Sequence, residues 1–324
     1  MSLVHDIRKL LQNELDTFES IFRESLKSKV ALLDKITHYI VKRKGKQMRP
    51  MFVLLSAKMF GDLQPSAYRA ATLVELLHTA TLVHDDVVDD AMERRGFLSI
   101  NAIWKNKIAV LVGDYLLSRS LIMSVENKEF ALLGCVSRSV REMSEGELLQ
   151  MEKSRKLNQD EDVYYDIIQK KTASLISACC EAGAIAAAVS EKVQNDMRLF
   201  GEYVGMAFQI KDDLFDYQPK SMAGKAAFAD LKERKLTLPI IHALNQVSSS
   251  EKKSVLKLVN KKKKSKAQLN EIVDFVTNNG GMVYCDLKMK EFANKALAIL
   301  ESMPDNQFRK ALHDLVLYSI ERRK

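Results

Sequence analysis

The sequence predicts an all-α protein, a bundle of long helices read as a single domain over residues 1–324, and three observations predict it. Glycine and proline are scarce, at 12 and 5 of 324 residues, so little interrupts the chain. The long stretches between them are rich in Leu, Ala, Lys, Glu and Met, which form helices readily. Apolar residues recur at helical spacing, and no alternating β-branched runs bounded by hairpin signals occur. With 47% hydrophobic residues, such a chain has ample material for a helical core.

In order, residues 1–40 read as an amphipathic helical start, with Ile7, Leu10, Leu11, Leu15, Phe18, Ile21 and Phe22 on one stripe. Gly45 then breaks the pattern, and Pro50 suits the first turn of the next helix. The basic stretch Lys42 to Arg49 precedes that helix. Taken alone it is a basic surface loop; cations ahead of a helix N-terminus also make an anion site. No Gly or Pro lies between Pro65 and Gly96, which predicts one helix running into His84-Asp85-Asp86-Val87-Val88-Asp89-Asp90. Asp85 and Asp89 fall on one face, a turn apart, with Asp86 beside them. Like charges at that spacing repel, and a helix C-terminus disfavours anions. A hard cation such as Mg²⁺ suits these oxygen ligands, which have no His or Cys at ligand spacing. One such cluster is ordinarily a solvated face. The pattern recurs in Gln209 to Asp216, again after an apolar run of Phe200, Val204, Ala207 and Phe208, and two copies are hard to dismiss as surface decoration.

Between them, Gly113-Asp114 lies in an apolar helix over 108–122, where glycine permits close packing and Asp114 reads as structural. Glu142, Glu145, Glu147 and Glu152 read as solvated. Lys170-Lys171-Thr172-Ala173 opens an Ala-rich helix. Residues 220–236 are small and polar, a loop ended by Thr237-Leu238-Pro239. Residues 250–324 read as peripheral helices with a turn at Asn278 to Gly281.

The net charge is +8, concentrated in Lys261 to Lys264 and Arg322-Arg323-Lys324. These read as a solvated loop and tail. No aromatic interleaving or helix-turn-helix pattern accompanies them, so no nucleic-acid partner is expected. Cys135, Cys179, Cys180 and Cys285 show neither metal spacing nor a disulfide framework, and predict buried thiols in a reducing, cytoplasmic setting. The first residues lack the pattern of a signal peptide. No uncharged apolar run reaches a bilayer-spanning length; the longest candidate, 175–190, reads as a packed core helix, leaving at most peripheral membrane contact.

Seven stretches together resemble the trans-prenyl diphosphate synthases, or polyprenyl synthetases: Gly45 to Pro50, His78, Asp85 to Gly96, Gly113-Asp114, Lys171 to Ala173, Gly205 to Asp216 and, more weakly, Asp230 to Pro239. The resemblance implies the isoprenoid synthase fold around a central cavity and a homodimer. It implies a Mg²⁺-dependent condensation of isopentenyl diphosphate onto an allylic diphosphate, with about three magnesium ions per site. Asp85, Asp89 and Asp212 would be the main metal ligands, supported by Asp86, Asp213 and Asp216. Lys46, Arg49, His78 and Arg95 would hold isopentenyl diphosphate. Arg94, Lys171, Thr172, Gln209, Lys225 and Lys235 would hold the allylic diphosphate. The family usually reads Gly-Gly-Lys-Arg where Lys44 and Gln47 depart, and commonly has Gly at 228 and 234, where Phe and Arg stand here.

By the same resemblance, small Ala80 and Thr81 upstream of Asp85 open a tunnel floored near Leu121, Ile122 and Met123. That implies a long-chain, octaprenyl-type product for quinone side chains. A farnesyl or geranylgeranyl synthase, or an inactive subunit of a heteromer, are the alternatives; intact aspartate motifs speak against inactivity.

Overall fold

The computed structural model describes residues 3–42, 45–94, 96–156, 160–218 and 228–322, with side chains except those of Arg94, Arg155 and Lys156. The chain is helical, as expected. The amphipathic helical start is three helices, α1 (Leu3–Leu10), α2 (Gln12–Ser25) and α3 (Ala31–Lys42). Then follow α4 (Met48–Lys58) and α5 (Pro65–Val88), a two-stranded hairpin of β1 (Glu93–Arg94) and β2 (Phe97–Leu98), α6 (Ile100–Glu126) and α7 (Phe130–Lys156). Next come α8 (Glu161–Ile168), a π turn (Gln169–Ala173), α9 (Ser174–Ala186) and α10 (Glu191–Asp216). The last are α11 (Ala229–Lys232), α12 (Leu238–Asn245), α13 (Ser249–Val259), α14 (Lys266–Asn278), α15 (Gly281–Glu301) and α16 (Gln307–Glu321).

The chain divides into two compact units. The first comprises residues 1–140, 175–199 and 300–315. Its core includes Leu54, Leu55, Leu73, Val74 and Leu76, none of which has exposed surface. Gly183 lies against the α4 backbone at Val53, where a side chain would not fit. The second unit comprises residues 141–174, 200–299 and 316–324 and is built around Phe200, Ile210, Leu238 and Ile240, again fully buried. The last helices are less peripheral than their sequence suggests: Cys285, Leu312, Leu315 and Val316 are all fully buried.

The longest apolar stretch is in α6, not 175–190. An 18-residue window of α6 has mean hydropathy 1.6 with at most two charged residues, and only a third of it is buried. Val110, Leu111, Leu121, Ile122 and Val125 are exposed along it. Leu121 and Ile122, expected at a tunnel floor, are therefore 52% and 41% exposed.

Candidate active site

In the first unit, α5 carries the acidic motif to its own end. Asp90 adopts a left-handed backbone, φ 48°. Its N–H donates to the Val87 carbonyl and that of Ala91 to the Asp86 carbonyl, at 3.4 and 2.9 Å. This is a Schellman cap with aspartate in the position glycine usually takes, a residue that tolerates that conformation. Asp85 and Asp86 thus stand on regular helix, and Asp89 and Asp90 on the chain reversal. Asp86 is buried, Asp85 half-buried and Asp89 exposed. Asn101 donates to the Asp86 carbonyl at 3.1 Å, and Ser99 to that of Ala91 at 2.6 Å, fixing the segment that returns from the hairpin. Arg94 lies in β1; Arg95 lies outside the described residues. A Cβ at Gly113 would overlap the His84 ring beside Asp85, so the close packing expected of this glycine is the room that ring needs. Asp114 lies 3.6 Å from the same ring.

Pro50 sits in the first turn of α4, as its position predicts. Gln47 precedes that helix in a left-handed conformation, φ 54°, and its side chain does not cap it. Instead it accepts from Arg8 and donates to Glu19, both at 3.0 Å. The N-cap residue thus gives the α4 N-terminal amide groups no side-chain cap, beside exposed Lys46 and half-buried Arg49. An uncapped N-terminus with two cations is an anion site. Arg49 lies 3.5 Å from Glu75, and Glu75 and His78 lie one turn apart on α5. Glu75, His78 and Gln47 also line an apolar cavity of about 140 Å³ walled by Phe18, Phe22, Tyr39, Leu82 and Phe97. Ala80 has no exposed surface; it packs with Leu26, Ile36, Val83 and Leu116, and Met123 rests against that cluster. Thr81 is half-buried, its hydroxyl donating to the His78 carbonyl at 2.9 Å.

In the second unit, the acids of α10 divide into two kinds. Asp213 is buried and accepts from Tyr164 at 2.7 Å and from Gln209 at 2.8 Å. Thr172 in turn donates to Gln209 at 2.8 Å. Burial first, then the charge of Asp230, pushes the Asp213 carboxyl up to about 8. The same causes push Asp216 up to about 6, and Asp216 accepts from the Leu231 N–H. Asp212 is the half-buried member: it meets Arg322 at 2.5 Å. Lys171, in the π turn, is paired with Glu147 and donates to Gln150 at 2.7 Å. Gly146 and Gly205 lie against the backbone of Lys171 and Ala173, so α7 and α10 both approach the π turn closely. A π turn inside helix marks functional sites more often than chance. Burial alone would lower the pKa of Lys235, but the hydrogen bond and charge of Glu233, with Asp230 and Glu147, raise it. Lys225 lies outside the described residues.

Glu147 is therefore not a solvated residue, and Glu147, Gln150, Tyr164 and Arg322 are partners of the candidate site residues that sequence reasoning misses. The one local signal is Gly146, an unneeded glycine inside a helix.

Asp85 and Asp89 in the first unit, and Asp212 in the second, each offer hard oxygens. Among the described residues no three acid, His or Cys groups form a ready ion cage. A cation with few protein ligands that completes its shell with water and phosphate, as Mg²⁺ does, fits this donor set.

Comparison with known proteins agrees. The profile of the polyprenyl synthetase family matches residues 30–276. An all-trans-nonaprenyl-diphosphate synthase (geranyl-diphosphate specific) from Rhodobacter capsulatus is 35% identical over 98% of this chain and 97% of its own. The crystal structure of a polyprenyl synthase from Caulobacter crescentus, complexed with calcium and isoprenyl diphosphate, has a TM-score of 0.90 at 32% identity, covering 99% of this chain and 98% of that one. A geranylgeranyl pyrophosphate synthase structure from Bacteroides thetaiotaomicron has a TM-score of 0.83 at 36% identity, covering 99% and 100%. On this footing the chain belongs to the polyprenyl synthetase family.

Proposed function

We propose that the protein is a long-chain trans-polyprenyl diphosphate synthase, condensing isopentenyl diphosphate onto an allylic diphosphate to make quinone side chains. The observation that carries this is the pair of Asp-Asp-x-x-Asp motifs, each closing a long apolar helix. Magnesium, when bound through Asp85, Asp89 and Asp212, would neutralise charge on the leaving diphosphate. Lys171, Thr172 and Lys235, with Arg94 and Lys225, would position that diphosphate. Lys46, Arg49, His78 and Arg95 would hold the second substrate within reach of the ionising carbon. Asp213 and Asp216 support Asp212 by fixing the end of α10 rather than by offering free ligands.

The long-chain reading draws on the Rhodobacter capsulatus relative, named as a nonaprenyl synthase. The Bacteroides thetaiotaomicron relative, named as a geranylgeranyl synthase, favours the shorter alternative. Incubating purified protein with Mg²⁺, isopentenyl diphosphate and farnesyl diphosphate, then sizing the product, separates them: a product stopping at geranylgeranyl length refutes the long-chain reading, and no product refutes both. The exposed apolar residues of α6 support a homodimer, which light scattering tests. Four buried free thiols accord with a reducing compartment.

A further inference from the structure

We propose that the turn joining α13 and α14 is an electrostatic docking surface for an anionic lipid bilayer. Residues 252–266 contain eight lysines (Lys252, Lys253, Lys257, Lys261, Lys262, Lys263, Lys264 and Lys266) and no acidic residue. Eight charges equal the net +8 of the whole chain, so everything outside this segment sums to zero. This segment alone carries a charge equal to the net charge of the chain.

Several lysines elsewhere are paired: Lys58 with Glu14, Lys171 with Glu147, Lys290 with Asp286. Among the described residues none of these eight has a carboxylate partner. Lys261, Lys262 and Lys263 are exposed. Lys264 donates to the Lys261 carbonyl at 2.9 Å and Lys252 to Asn245 at 3.3 Å. Arg234 adds a further cation, reaching Asn260 at 3.4 Å. Burial, then the Arg234 charge, holds the Lys264 ammonium below its ordinary pKa. Cations at the C-terminus of α13 gain from its dipole, but that effect ends within one turn and does not account for the rest. A crowd of like charges without counter-charges is stabilised by an external anion.

The chemistry favours lipid over nucleic acid. The segment has no arginine fork for bidentate phosphate or base contacts and no aromatic ring for stacking. Four to eight lysines in one cluster is the density that anionic leaflets attract. The choice of a bilayer also rests on the proposed long-chain product, a lipid that has to be delivered to a membrane.

The test uses the full chain, sedimented with phosphatidylcholine vesicles with and without phosphatidylglycerol. Wild type is expected to bind only the anionic vesicles, and less as salt rises. Replacing Lys261, Lys262, Lys263 and Lys264 by Gln is expected to lower partitioning roughly several-hundred-fold, at about five-fold per lysine, with melting temperature and turnover of a soluble allylic substrate unchanged. Should that variant melt early, Lys261→Glu with Lys263→Glu makes the same prediction. Undiminished binding by the variants, no wild-type binding to anionic vesicles, or tighter binding to a DNA duplex than to vesicles overturns the proposal. Vesicle binding without any prenyl transfer sinks the proposed function and leaves this surface standing.

Discussion

Arg322 and Asp212 are 110 residues apart and in contact, with one guanidinium nitrogen 2.5 Å from the carboxylate. The guanidinium lies 3.9 Å over the Phe208 ring and also donates to the Phe208 carbonyl. Both side chains are largely shielded, at 12% and 24% exposed. This acid of the second motif is thus neutralised by an internal cation. Arg322→Gln is expected to tighten magnesium binding severalfold, measured by calorimetry, because the ion no longer competes with an arginine. Without magnesium the variant is expected to lose about 1 kcal/mol of stability. Weaker magnesium binding in the variant would contradict this.

Asp213 gives a pH prediction. Its folded pKa, about 8, lies above the ordinary 3.8. The folded state therefore holds a proton that the unfolded chain releases, so its contribution to stability is complete below about pH 4 and is lost as pH rises to about 8. In EDTA, Asp213→Asn is expected to flatten that part of the stability profile, because the amide keeps partners in Tyr164 and Gln209 without a buried charge. Parallel wild-type and variant profiles would refute it.

Two helical glycines should respond oppositely to alanine. Gly113→Ala pushes the His84 ring, and is expected to cost about 1–3 kcal/mol by overpacking and to slow turnover through Asp85. Gly134 has nothing within 4 Å of a would-be Cβ. Its alanine variant is expected to gain about 0.5–1 kcal/mol. Chemical denaturation of both measures the contrast.

Arg234 follows α11 with φ 63°, a conformation that costs a residue with a side chain about 1 kcal/mol. Arg234→Gly is expected to recover most of that as a higher melting temperature. Phe228 shares φ 63° but is buried at 7%, so Phe228→Gly loses packing and is expected to destabilise.

Product length is best tested at Thr81, one turn before Asp85 on the same face of α5. Ala80 sits in a filled cluster, where a larger side chain disrupts packing as well. Thr81→Tyr is expected to shorten the product with kcat of the first condensation retained, read by product chromatography; an unchanged length would exclude Thr81 as a determinant.

How much was legible follows the range of the interactions. The ends of α5 and α10, Pro50 in its helix turn and the close approach at Gly113 were readable because each is set within a few residues. Four features were not. The gap between α1 and α2 falls at Leu11, a good helix former, so composition gave no sign of it. The burial that pushes the Asp213 carboxyl up is built by folding, as is its contact with Tyr164, 49 residues upstream, and Arg322 reaches Asp212 from 110 residues away. Such pairings leave no periodicity in the chain. Glu147 looked solvated because its partner, Lys171, arrives by folding. Family preference for glycine at 228 and 234 did carry conformational information: both positions fold into the left-handed region with other residues in place.

The π turn at Gln169–Ala173 has a consequence for sequence change. It packs one residue more into its loop than the helices on either side need. Deleting a single residue there would let the backbone relax into continuous α-helix, and everything on one side would swing by about 100° relative to the other. Lys171 and Thr172 could then no longer meet Glu147 and Gln209 together, so this surplus residue sets the alignment of two otherwise separate polar contacts.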